Sequence, residues 1–100
     1  MSRSKGRTRE CGGHDARARL RDARQFMEAA ELLADAGNGD VVATNAVHAA
    51  IAAADVLCCL ALGRRSADGN HEAAVALLEQ LSSDHANQLR RALARKQQAG

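Results

Sequence analysis

Arg64 and Arg65, followed by His71, are the residues of this chain best suited to chemistry on a phosphate. A guanidinium is a planar fork that holds two phosphate oxygens at once, and imidazole is the side chain that exchanges a proton near neutral pH. His48 and Asp55 stand two turns apart in an otherwise apolar stretch. At about 100° per residue they fall, with Thr44, within about 40° of one another on a helix. A buried histidine or aspartate is costly unless hydrogen-bonded. The line is therefore expected to form a satisfied structural network, to be a solvent-facing strip, or to join Arg64, Arg65 and His71 in one polar site. Arginines at a helix end and a histidine at a helix start are ordinary features singly, and their common context is what makes them a candidate.

The three cysteines offer less. Cys58 and Cys59 are adjacent on an expected helix, where neighbours point about 100° apart, so they cannot bond to each other. Among Val56, Leu57, Leu60 and Leu62 they read as small buried hydrophobes in a reducing, cytoplasmic setting. Asp55 has the wrong sign to activate either thiol. Cys11-Gly12-Gly13-His14 has the spacing of half a zinc site, but a closed site needs four ligands. No metal and no cofactor are expected.

Four helices are needed to position these groups. Residues 1–14 are charged, glycine-containing and without an apolar period, and are expected as a basic flexible tail; residues 15–100 are expected to form the folded domain. A first helix is expected from Asp15, with Ala16, Leu20, Ala23, Met27, Ala30 and Ala34 as its apolar stripe, widened by Phe26 and Leu33. Gly37-Asn38-Gly39-Asp40 ends it. A second, from Val41 to Leu62, is apolar nearly all round and stops at Gly63, which marks it as the central helix of a bundle. Ser66-Ala67-Asp68-Gly69-Asn70 then forms a turn. A third helix over 71–82 turns His71 inward with Ala74, Val75, Leu78 and Leu81. A fourth, capped by Ser83-Asp84, carries only a thin stripe of Ala86, Leu89 and Leu93 and is expected to fray or to await a partner.

Composition agrees with an all-α, antiparallel bundle. The chain has 23 Ala and 11 Leu among 100 residues, with one aromatic residue and no proline, which disfavours an all-β fold. Charge is uneven: residues 1–24 sum to +5, residues 25–89 to −7 and residues 90–100 to +4. Basic ends could touch nucleic acid or another acidic surface, but with no aromatic side chains interleaved with the arginines to stack on bases, a solvated tail and a helix C-terminus with its usual cations are the favoured reading. The 41–62 stretch is long enough to span a bilayer, but Asp55 near its middle is unfavourable there. A core helix of a soluble protein is expected, with no membrane partner.

The second helix Val47-His48-Ala49-Ala50-Ile51-Ala52-Ala53-Ala54-Asp55-Val56-Leu57, the turn Gly63-Arg64-Arg65, and Asn70-His71-Glu72-Ala73-Ala74-Val75-Ala76-Leu77-Leu78 together resemble a HEPN domain of the small bacterial kind, over roughly residues 16–98. The resemblance implies a helical bundle that pairs as a homodimer. It also implies either a metal-independent ribonuclease with an Arg-x(4–6)-His motif or an RNA-binding or scaffolding module, often in a toxin–antitoxin pair. Arg64 and Arg65 both stand at an admissible distance from His71. The functions expected are therefore a dimerising module for RNA or a nucleotide-type ligand; RNA cleavage by Arg64 or Arg65 with His71, assisted by His48 or Asp55; or a purely structural role beside a cognate protein partner.

Overall fold

Ala16, Ala23 and Ala30 are all buried, and their seven-residue spacing lets the first helix lie close against the second. A computed structural model describes residues 7–37, 39–67 and 70–99. The element order is β1 (Thr8–Glu10), α1 (Gly13–Asp35), α2 (Gly39–Leu62), β2 (Arg64–Ser66), α3 (His71–Leu81) and α4 (Ser83–Ala99). The fold is an all-α bundle of four helices with a minor two-stranded ribbon. α2 is central, touching α1, α3, α4 and β2. One side of it supplies Val47, Ile51, Ala54 and Cys58 to a core shared with Ala74, Val75, Leu77, Leu78, Ala86 and Leu89.

Local signals explain most boundaries. Gly63 ends α2 with φ +72°, a left-handed conformation that favours glycine. The Asn70 side chain caps α3 by accepting from Ala73 N–H at 2.9 Å. Ser82, one residue before the expected cap, accepts from His85 N–H at 3.2 Å at the start of α4. That helix packs its thin stripe into the core, with Ala86 and Leu89 buried and Leu93 against them, so the expectation of a frayed or partnerless segment is corrected. Helix α1 begins at Gly13, two residues before the expected start, and Asp15 accepts from Gly12 N–H at 3.2 Å.

Three further expectations change. The stripe of α1 is only half buried: Leu20 and Met27 remain exposed, because close packing on α2 centres on the alanine row. The tail is structured from Thr8 onward, since β1 pairs antiparallel with β2 in the register Thr8–Ser66, Arg9–Arg65 and Glu10–Arg64. Residues 1–6 of that expected tail, with Asn38, Asp68 and Gly69 of the expected turns, lie outside the described residues. Finally, Cys59 is not a reduced core thiol. It forms a disulfide with Cys11, Cα–Cα 5.5 Å, closing 48 residues of chain, while Cys58 stays free and buried. The disulfide and the bond from Cys11 N–H to Gly63 O at 2.9 Å fix β1 against the end of α2.

Candidate functional site

Asp55 is 1% exposed on α2, where burying a carboxylate requires partners. It has them from three directions. Ser66 donates to Oδ1 from its hydroxyl at 2.8 Å and from its backbone N–H at 3.2 Å. Arg19, on α1, donates to Oδ2 from Nε at 3.1 Å and pairs with it through Nη2 at 3.0 Å. Arg65 Nη1 stands 3.7 Å from the same oxygen. Asp55 thus ties α1, α2 and β2 together and orients two guanidiniums.

Above this network lies a cavity of about 310 Å³, lined by Arg9, Arg19, Phe26, His48, Ile51, Arg65 and His71. Each element delivers its residue for a local reason. Strand residues alternate between faces, so Arg65 turns to the cavity while Arg64 turns away, donating from Nε and Nη2 to Thr8 Oγ1 at 3.1 and 2.9 Å. Arg9 faces Arg65 directly across the ribbon, a like-charge pair that is unfavourable without an anion between or beside it. Arg19 falls between Ala16 and Ala23 on the buried side of α1. Phe26 stacks against His48 with ring centroids 5.0 Å apart and a 31° tilt.

The cavity carries excess positive charge. Arg19 and Arg65 meet Asp55, and Arg19 Nη1 also meets Asp22 at 3.0 Å; with Arg9 on the same wall, three guanidiniums against two carboxylates leave about one positive charge. Arg65 Nη1 also donates to Ser66 O at 3.1 Å, but its Nε is buried without a hydrogen-bond partner. An unpaired buried donor is rare and costly. A larger groove of about 490 Å³ between α3 and α4 shares His71, but there Arg90 is neutralised by Glu79 at 3.0 Å.

Of the candidates read from sequence, His48, Arg65 and His71 come together at this cavity. Asp55 lies beneath it as a positioning group, and Arg64 is turned to Thr8 and, at 4.0 Å, Glu10. Sequence reading missed Arg9, Arg19, Phe26 as a lining residue, and Ser66. Arg19 was legible as an arginine on the buried side of one helix facing an aspartate on the buried side of the next. Arg9 was signalled only by the odd cysteine two residues later.

Cys58 takes no part. Burial, with Asp55 adding to it, pushes its thiol up to about 11, so it stays protonated and unreactive at neutral pH. Cys11, half of the supposed zinc motif, is spent in the disulfide. No known protein family, curated protein or solved structure matches this chain.

Proposed function

We propose that the cavity formed by Arg9, Arg19, Arg65, His48 and His71 binds a phosphate-bearing ligand of the nucleotide class, as a HEPN-like module would. The observation that carries this reading is the convergence of three guanidiniums and two imidazoles on one small cavity. Guanidinium forks hold the phosphate oxygens, and the Phe26–His48 pair offers an aromatic face for a base. The volume lies near the lower end for small-ligand sites, which favours one nucleotide unit, free or at an RNA end or loop. Titration calorimetry with a nucleoside 5′-monophosphate and with its parent nucleoside tests this. Binding of the monophosphate alone, lost in Arg65→Ala and kept in Arg64→Ala, supports the assignment; equal affinity of the two variants refutes it.

A second reading, metal-independent RNA cleavage, is favoured by one observation: His48 and His71 line the same cavity as Arg65. One imidazole would take the 2′-hydroxyl proton as that oxygen attacks phosphorus, the other would protonate the departing 5′-oxygen, and Arg65 would stabilise the added charge. The products would be a 2′,3′-cyclic phosphate and a free 5′-hydroxyl. Incubating RNA without metal with wild type and His71→Ala decides it, since equal background cleavage removes the nuclease. A cytoplasmic setting loses one support, because it rested on reduced cysteines and Cys11 and Cys59 are bonded.

A further inference from the structure

The outer face of α1 carries an arrangement of charge that the helix would not choose for itself. Arg17, Arg21 and Arg24 occupy its N-terminal half and Glu28, Glu31 and Asp35 its C-terminal half, and all six are exposed. At about 100° per residue they share one face about 80° wide, turned away from Arg19, Phe26 and the cavity. Cations toward the N-terminus and anions toward the C-terminus run against the helix dipole. Arg17–Arg21, Arg21–Arg24, Glu28–Glu31 and Glu31–Asp35 are also like-charge neighbours at three or four residues, each unfavourable within a single helix. Among the described residues none of the six makes an ion pair. Exposed Leu20 and Met27 border this face on one edge, and Leu32, 72% exposed, borders it on the other.

We infer that this face is the docking surface for a second copy of the same chain, laid antiparallel along α1 about a two-fold axis level with Phe26. That operation sets Arg17 beside Asp35, Arg21 beside Glu31 and Arg24 beside Glu28, all three pairs being symmetric about the same point, and each forms twice. It also opposes the two helix dipoles. Parallel pairing would bring like charges together. An isologous contact needs such self-complementarity, and charge pattern sets orientation and register in helix pairing. The surface is separate from the cavity, so this inference stands apart from the ligand reading.

Sedimentation equilibrium tests it. Wild type is expected to be a dimer that weakens as salt is added. Two variants, Arg17→Glu/Arg21→Glu/Arg24→Glu and Glu28→Arg/Glu31→Arg/Asp35→Arg, alter only exposed positions and should keep the helical circular dichroism. Each alone is expected to be monomeric, with association at least 100-fold weaker. Mixed together they should form a heterodimer at least as tight as the wild-type dimer. A monomeric wild type, single variants that stay dimeric, or a mixture that fails to associate would overturn the inference.

Discussion

Arg19 and Asp55 lie 36 residues apart in sequence and share one electrostatic problem, which each solves for the other. Removing Asp55 leaves Arg65 partly buried without a counter-charge, leaves Arg19 with Asp22 alone, and strands the Ser66 donors. Asp55→Ala is therefore expected to cost about 3–5 kcal/mol of stability, whereas Asp55→Asn, which keeps an acceptor for Ser66, should lose less; urea unfolding of both distinguishes them. Cys58 gives a pH dependence. Its thiol ionises near 9 when unfolded and about 11 when folded, so the unfolded state releases its proton first and stability falls as pH rises through that window. The loss attributable to this group is roughly 2–3 kcal/mol by pH 11, and Cys58→Ala should flatten the curve between pH 9 and 11. Asp55's burial was legible in the apolar run around it. Of its partners, Arg19 was legible from its place on the buried side of α1, whereas Ser66 was not, because it reaches Asp55 only through the extended path after Gly63.

At the scale of elements, the ribbon is what the amino-acid pattern concealed. Three-residue strands carry too short an alternation to read, and Arg64 and Arg65 resemble the cations expected at a helix end. Pairing with β1 instead gives them opposite faces, which separates a cavity arginine from a surface one. The long helices were legible because apolar periodicity, Gly63 and Asn70 all point the same way. Burial of α4 was not, since Ala86 and Leu89 offer little area by themselves and matter only within a shared core. The Cys11–Cys59 bond holds β1, and with it Arg9, at the cavity wall. Opening it releases a 48-residue loop, which chain entropy makes worth about 4 kcal/mol. A Cys11→Ser/Cys59→Ser variant should lose that stability in chemical denaturation and bind a nucleoside monophosphate more weakly than wild type, as Arg9→Ala should. An unchanged midpoint would show that the ribbon is held without the bond.

For the whole molecule, a bundle of 100 residues, 23 of them alanine, buries modest area per helix, and its stability is correspondingly marginal. Into that small reserve it places facing arginines, Arg9 and Arg65. A bound anion beside them would offset their repulsion. Phosphate or a nucleoside monophosphate is accordingly expected to raise the melting temperature in proportion to the logarithm of its concentration, and added chloride salt to lessen the gain. The most direct measurement is nuclear magnetic resonance of the His48 and His71 imidazoles during titration with a nucleoside 5′-monophosphate. Both sets of resonances should move together and saturate in wild type, and remain still in Arg65→Ala. Imidazoles that ignore the ligand in wild type, or that respond equally in the variant, would contradict a phosphate site at this cavity.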